Sequence, residues 1–230
     1  MLNFQLTGVL SFSAATALGF ASNAAADVVY PGPFAGTTVT YTDVIEASGD
    51  PGEDPEPLYG APTGVSGDVL DFDPTSNFVA DAPPTDTTDG SLSFTVTSNN
   101  ALLTALVIAE SGSYAFTGVD NDELVAATLQ VQVLDTLTNA TLTSQQVVFS
   151  EQYDTAPSEL GTWSQSVSID LTPFSVASVD VVVNNILQTT GTGPGTATIT
   201  KSDFKINTPE PAAATLLAGL GAALLRRRSA

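Results

Sequence analysis

A period-two alternation that recurs along the middle of the chain limits the fold most. Trp163, Gln165, Val167, Ile169 and Leu171 alternate with Ser164, Ser166, Ser168 and Asp170. Val125, Ala127, Leu129, Val131 and Val133 alternate with Ala126, Thr128, Gln130 and Gln132, and Leu92, Phe94 and Val96 with Ser93, Thr95 and Thr97. Val179, Val181 and Val183 form a further set around Asp180 and Val182. Successive side chains of a strand point to opposite faces, so each run specifies a strand with one dry and one wet face. Residues 102–109 are apolar on both faces apart from Thr104, which predicts a central, covered strand. Val39, Tyr41 and Ile45 share one parity. Ala197 and Ile199 lie in one parity and Phe204 and Ile206 in the other, which predicts a bulge near 201–203.

Turn chemistry falls between these runs, at Glu110-Ser111-Gly112-Ser113, Gly118-Val119-Asp120-Asn121-Asp122, Leu137-Thr138-Asn139-Ala140 and Gly191-Thr192-Gly193-Pro194-Gly195. No helical periodicity occurs between 27 and 207. About ten short strands joined by polar turns predict an all-β fold, an antiparallel β-sandwich of jelly-roll-like type. Segments 47–61 and 81–90, rich in proline and acid, are expected as mobile loops.

Composition removes whole classes of chemistry. The 230 residues contain no His and no Cys, with 5 Lys+Arg against 25 Asp+Glu and a net charge of −20. Disulfides, thiol nucleophiles, His-based triads and ordinary zinc or haem sites are excluded. Nucleic acid is excluded as a partner, because phosphate binding needs clustered cations. Of the acids only Glu210 lies outside 27–207, where Lys201 and Lys205 are the only basic residues.

The ends differ from the middle. Residues 1–26 carry no charged side chain and hold an apolar run, followed by Ala24-Ala25-Ala26. This is the outline of a signal peptide cleaved between Ala26 and Asp27, although its first residues lack Lys and Arg. The other end reads Thr208-Pro209-Glu210-Pro211, then fourteen uncharged residues, 212–225, then Arg226-Arg227-Arg228. The apolar run would make a helix of about 21 Å, short against a bilayer core that wants ~20 residues. The arginines keep to the cytoplasmic side and set the orientation of this short transmembrane helix. The expected organisation is therefore 1–26 signal peptide, 27–207 β-sandwich and 208–230 sorting tail.

This order of Pro209, Glu210 and Pro211, an apolar helix and the stop at Arg226, Arg227 and Arg228 resembles the PEP-CTERM sorting signal. The resemblance is confined to about the last 22 residues, and the helix is shorter than the pattern favours. It implies an exported bacterial protein, transiently membrane-anchored by its C-terminus and processed by a membrane-embedded exosortase. It further implies a place in the cell envelope or extracellular matrix, in association with exopolysaccharide or biofilm.

Three constellations compete with their structural readings. Acids are numerous enough that some pair will meet by chance at glycosidase distance, and nothing singles one out as catalytic. Calcium prefers oxygen ligands, so Asp120, Asn121, Asp122 and Glu123, and separately Asp71 with Asp73, are candidate ligands. Neither has EF-hand spacing, and the competing reading is charged turns that keep sheet edges from pairing. Trp163 shares the parity of Val167 and Ile169 and belongs in the core, whereas Tyr30, Tyr59 and Tyr153 sit in turn-like segments and are expected to be freer. Asn139-Ala140-Thr141 reads as a turn. No enzyme and no cofactor other than calcium is expected. The functional expectation is a structural or adhesive matrix protein, the alternative a carbohydrate-binding module, with a glycoside hydrolase or lyase ranked last.

Overall fold

The computed structural model describes residues 27–48, 57–83, 85–118, 123–153, 158–191 and 193–209. The strands are β1 (Val28–Tyr30), β2 (Phe34–Ala35), β3 (Val39–Ser48), β4 (Pro62–Ser66), β5 (Val69–Phe72), β6 (Val79–Ala82) and β7 (Asp86–Ser98). They continue with β8 (Ala105–Thr117), β9 (Leu124–Asp135), β10 (Thr141–Gln152), β11 (Ser158–Asp170), β12 (Ser178–Thr190) and β13 (Thr196–Asn207). A single 3-10 turn at Thr172–Phe174 is the one helical element among the described residues.

The strands form two antiparallel sheets that enclose one core. The first runs β1-β3-β7-β12-β9-β10, with β2 on β3; the second runs β11-β8-β13-β5-β4, with β6 on β13. The alternating runs land as the pleat requires. Val125, Ala127, Leu129, Val131 and Val133 on β9, Val179, Val181 and Val183 on β12, and Leu92, Phe94 and Val96 on β7 are all buried. The second sheet answers with Leu106 and Ile108, Trp163, Val167 and Ile169, and Ala197, Ile199, Phe204 and Ile206. Burial of these faces is the main force that closes the sandwich. The long edge strands β10 and β11 meet, and there the Phe149 and Trp163 rings stack at 5.9 Å.

The bulge expected near 201–203 is present: the pairing of β13 with β8 shifts between Lys201 and Asp203. A second shift, between Thr42 and Ile45, was not expected. Asp43 adopts φ 51° there, which turns Val44 and Glu46 inward and moves Ile45 out of the parity of Val39 and Tyr41.

Four further expectations are corrected. Glu110-Ser111-Gly112-Ser113 is not a turn, because β8 runs straight through it. Glycine is needed at 112 because β13 comes too close for a side chain: a Cβ would sit 2.9 Å from the Thr200 carbonyl carbon and 2.8 Å from Trp163 Nε1. Most of the segment expected as a second mobile loop is strand instead, with β6 running to Ala82 and β7 starting at Asp86. Asp86 fixes the bend by accepting the Asp81 amide (2.8 Å) and the Thr87 amide (2.9 Å). The strands are longer than expected, with β7, β8, β11 and β12 at 13 residues each. The strand expected over 102–109 begins at Ala105, and Leu102 is half exposed.

Candidate functional site

The sorting motif and the signal-cleavage position fall mostly outside the described residues. Glu210, Pro211, Arg226, Arg227, Arg228 and Ala26 lie there, as do Asp120, Asn121 and Asp122. Asp27 and Pro209 are described and flank the strands. The residue before Pro209 is firmly held: Thr208 is buried, its amide donates to the Asp68 carbonyl (3.2 Å), and its hydroxyl lies 3.1 Å from the Tyr41 hydroxyl.

Glu123, a candidate calcium ligand at the acidic turn, is 1% exposed. Its carboxylate packs against Gly191 and Gly195, and neither oxygen has a hydrogen-bond partner among the described residues. Asp71 and Asp73 do not converge on a cation. Asp71 lies 3.7 Å from the Lys205 ammonium, which Asp203 holds with both oxygens at 2.7 and 2.8 Å, and Asp73 is exposed. Among the described residues no three acidic side chains group to hold a metal ion.

The aromatic reading splits. Trp163 is buried as expected, and its indole N–H donates to the Thr200 carbonyl at 3.0 Å. Tyr30, Tyr59 and Tyr153 are also buried, contrary to expectation. The cause for Tyr30 and Tyr59 is Glu46, which the β3 bulge turns into the core. Its Oε2 accepts the Tyr30 hydroxyl at 2.5 Å, and its Oε1 accepts the Tyr59 amide at 2.8 Å and the Leu58 amide. A buried carboxylate with three donors thus draws Leu58 and Tyr59 inside. Tyr153 is held by its amide, which donates to the Glu123 carbonyl at 3.0 Å, and by its hydroxyl, which donates to the Gly118 carbonyl at 3.0 Å.

The densest polar chemistry lies between the sheets, in a cluster absent from the sequence-based expectations. Glu110 on β8 and Lys201 on β13 are fully buried, with Nζ 2.6 Å from Oε2. Glu110 is the charge partner of Nζ, and beyond that ion pair Nζ has no acceptor among the described residues. Asn185, reaching across from β12, donates Nδ2 to the same Oε2 at 2.7 Å and to the Thr128 carbonyl at 3.1 Å. Gln165 on β11 donates Nε2 to Glu110 Oε1 at 2.6 Å. The Tyr59 hydroxyl donates to Asn185 Oδ1 at 2.7 Å.

Aromatic rings wall in the ammonium. Nζ lies 4.1 Å from the Phe78 ring centre, 5.1 Å from that of Tyr59 and 5.4 Å from that of Phe204. Burial pushes the Lys201 ammonium down to about 8, against the opposing pull of Glu110. The Tyr59 phenol is driven well above its usual range by the same desolvation and by Glu110. The result is an amine, a carboxylate, an amide and a phenol in one dry pocket. A sequence signal did exist: Lys201 shares parity with Ala197 and Ile199, Glu110 with Leu106 and Ile108, and Asn185 with Val181 and Val183.

The outer face of the second sheet bears an open trough of about 390 Å³, lined by Ala109, Ser111, Ser164, Ser166 and Asp203 and by the chain at Glu110 and Gln165.

No protein-family model matches the chain, and no curated protein matches it. Among solved structures, one of the infectious bursal disease virus Gt strain is similar at 11% identity, covering 61% of this chain and 33% of that chain, with a TM-score of 0.34. One of the Gx strain is similar at 13% identity, over 56% of this chain and 30% of that chain, with a TM-score of 0.28. TmCBM61 in complex with beta-1,4-galactotriose is similar at 9% identity, over 62% of this chain and 83% of that chain, with a TM-score of 0.23. The chain thus spans about a third of the viral chains it resembles, and these likenesses carry no argument about function.

Proposed function

We propose that this is an exported, non-enzymatic β-sandwich protein of the bacterial cell envelope or extracellular matrix, structural or adhesive in role. A PEP-CTERM tail sorts it, with transient membrane anchoring and an exosortase-type enzyme as processing partner. The observation that carries this reading is the order of residues after β13. Pro209-Glu210-Pro211, the apolar run and the three arginines follow directly on the last strand, whose end is tied down at Thr208. Proline carries no backbone N–H and disfavours helix at the residue before it, so a Pro-Glu-Pro sequence suits recognition by a processing enzyme. The excess of acid keeps such a protein soluble outside the membrane.

Mass spectrometry of the protein from fractionated native cells tests the proposal. The expected result is an envelope or extracellular species that lacks 1–26 and yields no peptide from 212–225. A cytoplasmic species with both ends intact would overturn it.

One observation favours carbohydrate binding as a second reading. The trough over β8 presents hydroxyls from Ser111, Ser164 and Ser166 beside Asp203, groups that can bond to sugar hydroxyls. Saturable glycan binding abolished by Ser164→Trp, which would fill the trough, supports that reading. Binding that survives the substitution refutes the trough as the site.

A further inference from the structure

We propose that Lys201 and Asn185 become joined by an intramolecular isopeptide bond that ties the two sheets together, with Glu110 as the proton carrier. Nothing in this inference depends on how the protein is sorted or what it binds.

The geometry supplies each part. The amine of Lys201 and the amide nitrogen of Asn185 lie 2.6 and 2.7 Å from one oxygen, Glu110 Oε2, so the two groups are neighbours held by a common base. The electrophile is prepared, because Asn185 Oδ1 accepts the Tyr59 phenol at 2.7 Å, where negative charge would develop during attack. The amine is prepared as well. Phe78, Tyr59 and Phe204 surround it with rings, Glu110 is its one charge partner among the described residues, and burial favours its neutral, nucleophilic form. A dry site also keeps water from competing for the carbonyl.

The step balances without any co-reactant. The Lys201 ammonium gives a proton to Glu110 Oε2. The free Nζ attacks Cγ of Asn185, and the electron pair of the C=O moves onto Oδ1, stabilised by the Tyr59 hydroxyl. Glu110 returns a proton to Nδ2, already bonded to it, and takes one from Nζ. The Cγ–Nδ2 bond then breaks, the C=O reforms, and ammonia leaves, carrying off the surplus proton from Glu110 as ammonium. One amide replaces another, and nothing is oxidised or reduced. General acid–base transfer and fixed proximity are the two sources of acceleration.

Of the two amides on Glu110, Asn185 is favoured over Gln165. Gln165 bonds to the other oxygen, Oε1, and its own carbonyl oxygen has no donor among the described residues to polarise it.

The test is peptide mapping of the purified full chain, denatured and cut with a protease that cleaves after Leu187. The expected result is that the fragments containing Asn185 and Lys201 stay covalently joined and are lighter by one ammonia than their combined sequence mass. Trypsin should also fail to cleave after Lys201. Glu110→Gln and Lys201→Arg should both restore the full sequence mass. Separate, unmodified fragments from folded wild-type protein would overturn the proposal, as would a link to Gln165. A folded Glu110→Gln protein that still carries the link would overturn the role of Glu110. Should the variants not fold, the wild-type map alone decides the matter.

Discussion

Replacing Gly112 with Ala should destabilise the sandwich by about 2–4 kcal/mol. The Cβ would lie 2.9 Å from the Thr200 carbonyl carbon, whereas non-bonded carbons settle at about 3.5–4.0 Å. The obstacle is backbone on the bulged part of β13, so relief requires that strand to withdraw by roughly an ångström; overpacking of this kind costs about 1–3 kcal/mol. The same movement strains the 3.0 Å bond from Trp163 Nε1 to the Thr200 carbonyl, worth about 1 kcal/mol net. The assay is equilibrium unfolding in urea, read by the emission of Trp163, the one tryptophan of the chain. Gly64→Ala is the control: nothing lies within 4 Å of a Cβ there, and its effect should stay within about 0.5 kcal/mol. Equal stability for the two variants would refute the claim that close approach of β13, rather than chance, dictates glycine at 112.

Three further outcomes follow from the described contacts. Tyr41 is buried, its hydroxyl bonds to the Asp68 carbonyl, and desolvation pushes it from 10.0 up to about 12. A folded value above the unfolded one means that its contribution is complete below pH 10 and lost as pH rises through 12; the loss should approach about 3 kcal/mol. Unfolding curves across pH 9 to 12 check this, and Tyr41→Phe should be flatter over that window. Glu46→Leu strands the Leu58 and Tyr59 amides and removes an acceptor of the Tyr30 hydroxyl, at a cost of about 3 kcal/mol or more; faster amide exchange at Leu58 and Tyr59 is the expected reading. A net charge of −20 predicts that NaCl raises the melting temperature by screening. A calcium increment at equal ionic strength that Glu123→Gln removes would place the cation at Glu123, whereas superimposed salt curves would refute calcium binding there.

The sheets were legible because strand periodicity is local. Val125 to Val133 alternate within a single strand, and the parity break between Ile199 and Phe204 is enough to locate a bulge. What stayed hidden is set by distant partners. Glu110-Ser111-Gly112-Ser113 has the composition of a turn, and only the approach of Thr200 explains a glycine inside β8. Tyr59 sits among prolines and acids, and only partners distant in sequence account for its burial: Glu46, turned inward by the Asp43 bulge, holds its amide, and Asn185 accepts its hydroxyl. Lys201, Glu110 and Asn185 come from three strands, and their sole local trace is that each polar side chain falls on the inward parity of its strand.

The position of β13 bears on how the molecule carries load. It lies inside the second sheet, paired with β8 along Thr196 to Asn207 on one side and with β6 and β5 on the other. Antiparallel ladder bonds run perpendicular to the strands. Tension applied at Thr208 along β13 would therefore shear both rows together instead of peeling them one rung at a time. A protein tethered through the residues after β13 would meet traction in its most resistant direction.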